Sequence, residues 1–168
     1  HWTHLELKRY FGIDETLSPK TVKSIWERCN ELLAIDEFSV RNLISKSNVD
    51  TICTTDDPMD TLEYHKAIKE SGFKTKVLPT FRPDLATNIE KETFIPYIEK
   101  TGVKSYTEFL DWMTSRIEYF NEVGCKVSDH AMEYIPFAVG DPEAVYNKKL
   151  SGGELSKEEI DVFKTAVL

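Results

Sequence analysis

The chain has 168 residues, 40% hydrophobic and 30% charged, the composition of one folded domain or a section of a larger one, which excludes a disordered tail. Its formal net charge is −8, and its 21 Lys and Arg are scattered among 29 Asp and Glu, so no basic patch is available for a phosphate backbone. No run reaches the ~18 apolar residues of a membrane span and no secretory signal is present, so a cytoplasmic protein without nucleic-acid or membrane partners is expected.

The first fifty residues read as helical. His1 to Phe11 places Trp2, Leu5 and Arg9 on one face and ends at Gly12. Ser18-Pro19 supplies an N-cap and a proline at the first helical position, where its missing N–H is harmless. Val22, Ile25, Trp26, Cys29, Leu32 and Leu33 then recur at helical spacing, and a shorter helix over 39–46 presents Leu43 and Ile44. Residues 49–55 are β-branched and uncharged apart from Asp50, which predicts a buried strand ended by Asp56-Asp57-Pro58. Asp60 and Glu63 frame a capping box for a helix from Leu62 to Gly72. Residues 76–81 predict a second strand, weakened by Pro79, which lacks a ladder donor.

A helix over 93–100 follows, and Ser105-x-x-Glu108 caps a stronger one carrying Phe109, Leu110, Met113, Ile117 and Phe120 as far as Gly124. Residues 125–128 predict the third strand. Asp141-Pro142 opens another helix, and Ser156 and Glu159 box the last, with Ile160, Phe163 and Val167 on one face. That helix meets no stop signal before Leu168 and no methionine opens the chain, so an internal section of a longer protein is expected. The alternation predicts right-handed βαβ units and a parallel sheet. The expected organisation is a helical segment over 1–48, then three β/α units over 49–168 of a larger α/β protein; a complete (β/α)8 barrel needs about 250 residues. Cys29, Cys53 and Cys125 lack any C-x-x-C spacing, which excludes a disulfide scaffold and a cysteine zinc site and reads as small buried hydrophobes.

Each predicted strand runs into polar residues at its carboxyl edge, where parallel α/β folds bind ligands: Thr54-Thr55-Asp56-Asp57, then Arg82 with Asp84, then Ser128-Asp129-His130. Helix caps and solvated loop groups account equally for Asp56, Asp57 and Asp84, and Asp60 reads as a cap. Arg82, fixed between Phe81 and Pro83, suits two-point capture of a carboxylate or phosphate; the alternative is an ion pair with Asp84 or Asp129. His130 is a candidate acid or base near neutral pH. His65 reads as helix surface or core filler. No H-x-H, H-E-x-x-H, G-x-G-x-x-G or Walker pattern occurs.

Five blocks in order, His1-Trp2-Thr3-His4-Leu5-Glu6-Leu7, Cys53-Thr54-Thr55-Asp56-Asp57-Pro58, Leu62-Glu63-Tyr64-His65, Pro79-Thr80-Phe81-Arg82-Pro83-Asp84 and Gly124 to His130, resemble the uronate (glucuronate) isomerase family of the amidohydrolase superfamily. The resemblance implies a partial distorted (β/α)8 barrel with a helical N-terminal extension. It implies an aldose–ketose isomerase of carbohydrate metabolism, interconverting D-glucuronate with D-fructuronate and D-galacturonate with D-tagaturonate through an enediol. It also implies a divalent metal, zinc, held by residues this chain lacks, since the family's H-x-H pair, His-Tyr pair and last-strand Asp have no counterpart here. The substrate-contacting arginine of the family transfers to Arg82. Thr54, Thr55 and Asp56 match positions near the barrel mouth as substrate contacts, and Asp129 and His130 are catalytic candidates. The isolated section is expected to be inactive and to associate with itself or with the missing barrel segments. Two alternatives stand beside this: a metal-dependent hydrolase with Asp56, Asp57, Asp129 and His130 around a metal, and a non-catalytic α/β binding module.

Overall fold

The computed structural model describes residues 1–168. In chain order the elements are α1 (Trp2–Phe11), α2 (Val22–Leu33), a 3-10 turn (Asp36–Phe38), α3 (Val40–Lys46), β1 (Thr51–Cys53), α4 (Glu63–Glu70), β2 (Lys76–Leu78), α5 (Asp84–Thr87), α6 (Phe94–Thr101), α7 (Tyr106–Val123), α8 (Pro142–Leu150) and α9 (Lys157–Val167). The chain forms two compact units: His1–Ile52 with Lys69–Lys76, and Cys53–Ile68 with Val77–Leu168. No helix is long and apolar enough to cross a membrane.

The first unit has a small core of Leu7, Ile13 and Ile25, with Phe11 and Cys29 against it. The face expected for α1 is corrected, since Trp2 and Leu5 are exposed and Leu7 is buried. Gly12 takes the left-handed conformation (φ 64°) that reverses the chain, and the Ile13 N–H returns to the Leu7 carbonyl at 3.0 Å, bringing these two side chains together. The start of α2 is also corrected, from Pro19 to Val22. The Thr21 hydroxyl accepts the Ser18 N–H at 2.9 Å and donates to the Thr16 carbonyl at 2.7 Å, so residues 18–21 form a hydroxyl-braced turn. Of the α2 stripe only Ile25 is buried; Val22, Trp26 and Leu33 are exposed.

The second unit carries the main core. Phe94 of α6, Phe109 of α7, Tyr146 of α8 and Phe163 of α9 are all fully buried. Their rings meet at centroid separations of 5.4 Å (Phe109–Tyr146), 5.8 Å (Phe94–Phe163) and 6.1 Å (Tyr146–Phe163), within the range of favourable aromatic pairing. Burial, with Glu108 nearby, pushes the Tyr146 hydroxyl up to about 12. The expected caps at these helices form: Ser105 accepts from the Glu108 N–H, Asp141 from the Ala144 N–H, and Ser156 and Glu159 bond reciprocally.

β1 and β2 lie side by side in a parallel pair shorter than the 49–55 and 76–81 expected. Pro79 ends the second strand, because it offers no N–H to the ladder. β1 is not the buried strand expected: Thr51 and Cys53 are exposed and Ile52 is half-buried. The third strand reduces to one parallel bridge between Phe81 and Ser128, framed by Phe81 N–H to the Val127 carbonyl (3.1 Å) and Asp129 N–H to the Phe81 carbonyl (3.2 Å). A matching bridge joins Asp56 to Phe81. Three segments are therefore parallel neighbours at 56, 81 and 128. The Asp60 capping box is replaced by a turn in which Asp60 Oδ1 accepts the Leu62 N–H at 2.6 Å; Leu62, fully buried at φ 52°, interrupts the helix and α4 starts at Glu63. The three cysteines are free but not buried as expected: Cys53 is exposed, Cys29 and Cys125 half-buried.

Candidate functional site

The carboxyl ends of the three parallel segments carry the polar residues read from the sequence, but only Arg82 with Asp84 and Asp129, and Thr54 with Asp56, come together. Arg82 follows the bridging Phe81, and its fork is engaged at two points. Nε donates to Asp129 Oδ1 at 3.1 Å, and Nη2 lies 2.7 Å from Asp129 Oδ2. Asp84 Oδ2 lies 3.7 Å from Nε. The ion-pair alternative thus describes one edge of the guanidinium. Nη1 has no partner and 36% of the side chain is open to solvent, so a second carboxylate has an approach along the other edge. Asp84 also accepts the Ala131 N–H (3.1 Å), which ties the start of α5 to the chain beyond Asp129.

Thr54 and Asp56 turn inward. The Thr54 hydroxyl donates to Asp56 Oδ2 at 2.6 Å and lies 2.7 Å from His65 Nε2. Asp56 Oδ2 also accepts the Thr80 N–H at 3.1 Å, and its Oδ1 lies 3.7 Å from His65 Nε2. The side chains of His65 and Asp56 are each only 10% exposed. Thr55 is exposed at the rim. The helical position of His65 on α4, read from the sequence as surface or core filler, gives no sign of this link.

Asp57 faces elsewhere, accepting the Met59 N–H at 2.9 Å and the Tyr97 hydroxyl at 2.8 Å. Burial and this carboxylate together push Tyr97 well above the ordinary phenol range. The intervening loop is held by Arg116 of α7, whose Nε donates to the Pro58 carbonyl (2.5 Å) and Nη2 to the Asp60 carbonyl (2.9 Å).

His130 does not pair with its neighbour Asp129, which Arg82 holds. Its Nδ1 is buried without a partner, and the residue lines a cavity of about 90 Å³ with Asp84, Asn88, Glu90, Tyr134 and Lys164. Glu90 Oε2 is likewise unpartnered there, while Oε1 takes Lys164 Nζ at 2.6 Å. Sequence reasoning missed Glu90 and Lys164, because a contact across 74 residues leaves no local signal.

Asp56, Asp57, Asp129 and His130 thus have separate environments and do not converge, which corrects the metal cluster expected for the hydrolase alternative. No three His, Cys, Asp or Glu side chains gather to hold a metal ion.

A sequence profile described as glucuronate isomerase matches residues 1–168. The uronate isomerase of Caldicellulosiruptor saccharolyticus is 52% identical over 178 residues, covering 100% of this chain and 38% of that protein. That of Bacteroides thetaiotaomicron is 44% identical over the same shares. Among solved structures, uronate isomerase from Thermotoga maritima superposes with a TM-score of 0.92 at 36% identity, covering 98% of this chain and 38% of that one. Glucuronate isomerase from Caulobacter crescentus gives 0.87 at 28% identity, covering 97% and 36%. The chain thus spans about 38% of the length of the curated relatives it matches.

Proposed function

This chain belongs to the glucuronate isomerase family, and on that footing we propose that it serves an aldose–ketose isomerase acting on hexuronates. The single observation that carries the reading is a family match running from residue 1 to residue 168, through the Phe81-Arg82-Pro83-Asp84 block. The substrate pairs are D-glucuronate with D-fructuronate and D-galacturonate with D-tagaturonate, converted through an enediol by moving a proton between C2 and C1. The architecture is a partial distorted (β/α)8 barrel over 49–168 with a helical N-terminal extension over 1–48.

Within this reading Arg82 grips the sugar acid's carboxylate, by its open Nη1 edge or by exchange for Asp129. Thr55 at the rim contacts the sugar, and Thr54 and Asp56 support the wall behind it. The unpartnered Nδ1 of His130 is free to accept or give a proton, and Asp129 is the counter-charge that holds the guanidinium in place. The family's divalent ion, zinc, is held by residues other than these, and no step is assigned through it. The substrate is a small sugar acid in the cytoplasm, with no nucleic acid or membrane involved. Exposed apolar side chains such as Ile135, Phe137 and Val139 favour association with further barrel segments or with another copy.

Incubating a protein of the relatives' full length that carries this sequence with D-glucuronate and D-galacturonate, with a divalent metal supplied, tests the reading. Formation of the matching ketoses supports it; no conversion of either acid contradicts it. The 168-residue chain by itself is expected to give no turnover, and appreciable conversion by it would show that the whole reaction centre lies here.

A further inference from the structure

We propose that His65 is a positioning residue for the carboxylate-binding arginine, acting through the Thr54 hydroxyl and the Asp56 carboxylate on the backbone that carries Arg82. The inference rests on the hexuronate reading given above.

Proton bookkeeping gives the direction of the relay. Thr54 Oγ1 carries one proton, and Asp56 Oδ2 at 2.6 Å, an acceptor when ionised, takes it. His65 Nε2, 2.7 Å from the same oxygen, must then be the donor, which makes the neutral ring the Nε2–H tautomer. In the other tautomer the ring would draw the Thr54 proton to itself and leave two oxygens facing each other lone pair to lone pair. The Thr54 proton has a second outlet, the Leu78 carbonyl at 3.3 Å, which would leave Asp56 in the same state. His65 therefore keeps the hydroxyl aimed at Asp56.

Asp56 spends three groups on the segment that carries Arg82. Its N–H donates to the Thr80 carbonyl (3.1 Å), its Oδ2 accepts the Thr80 N–H (3.1 Å) and its carbonyl accepts the Arg82 N–H (3.0 Å). This takes over where Pro79 ends the ladder, so the Asp56 side chain sets the register just before Arg82. His65 and Asp56 are both nearly closed to solvent, and water does not readily replace a lost partner there.

The test uses a protein of the relatives' full length with this sequence; if the unmodified enzyme converts no hexuronate, the functional reading itself has failed. In an active enzyme, His65→Leu is expected to raise KM for the hexuronate about tenfold with kcat within about threefold. His65→Gln, whose amide N–H reaches toward the place of Nε2–H, is expected to restore KM to within about threefold. His65→Leu added to Arg82→Ala is expected to raise KM no further, because the relay then has nothing to position. Additive KM increases, a Gln variant no better than Leu, or a fall in Tm with KM unchanged would overturn the proposal. Should His65→Leu fail to fold, Thr54→Val cuts the same link and is judged by the same non-additivity. Nitrogen-15 spectra of the unmodified enzyme give a further reading: a proton on His65 Nε2 is expected, and an Nε2 without one overturns the proposal.

Discussion

Phe163→Ala is expected to lower the stability of the second unit by about 3–5 kcal/mol, the range for truncating a buried phenylalanine. Its ring has no exposed surface and sits 5.8 Å from Phe94, 5.9 Å from Phe109 and 6.1 Å from Tyr146, so removal opens a void bounded by three other helices. Those rings are themselves wedged by one another, which limits collapse into the space and puts the cost toward the upper end. A truncation at the more exposed Leu110 of α7, 38% open, removes little buried surface and is expected to cost less than half as much. Urea unfolding of the two variants checks this: equal midpoint shifts would show that the aromatic cluster is not the centre of this core.

Arg82→Ala is expected to weaken hexuronate binding by roughly 2–5 kcal/mol, the usual cost of removing one partner of a buried charged hydrogen bond. The ion pair it breaks in the free protein contributes little by comparison. Arg82 and Asp129 are 36% and 42% exposed, and pairs so open to water are worth about 0–1 kcal/mol. The variant should therefore fold nearly as well as the parent while losing sugar-acid affinity. A neutral hexose, without a carboxylate, should lose little, and calorimetric titration of both ligands makes the comparison. Equal losses for acid and neutral sugar would take the carboxylate away from Arg82.

What the sequence revealed followed the range of the interactions involved. The caps at Ser105, Asp141 and Ser156 were legible because donor and acceptor lie three residues apart. So was the weakening at Pro79, a property of one residue. The ends of the parallel segments were legible as polar clusters, and the two acids foreseen beside Arg82 both lie within ion-pair distance; that Asp129 takes the hydrogen bond, across 47 residues, only the fold shows. The buried face of α1 was misjudged because Trp2 and Leu5 outweigh Leu7 in a hydropathy count, whereas the Gly12 turn selects Leu7 and Ile13. The Asp60 box failed because Leu62 takes a left-handed conformation that no residue preference announces. His65 was read as helix surface or core filler because a histidine within a helix carries no mark of the hydroxyl it will meet.

A crystal structure of the full-length protein with a hexuronate bound tests the role of Arg82 most directly. The account predicts a carboxylate oxygen of the sugar about 2.7–2.9 Å from a terminal guanidinium nitrogen of Arg82. A sugar acid whose carboxylate lies against other residues, with Arg82 still held only by Asp129 and Asp84, would contradict it.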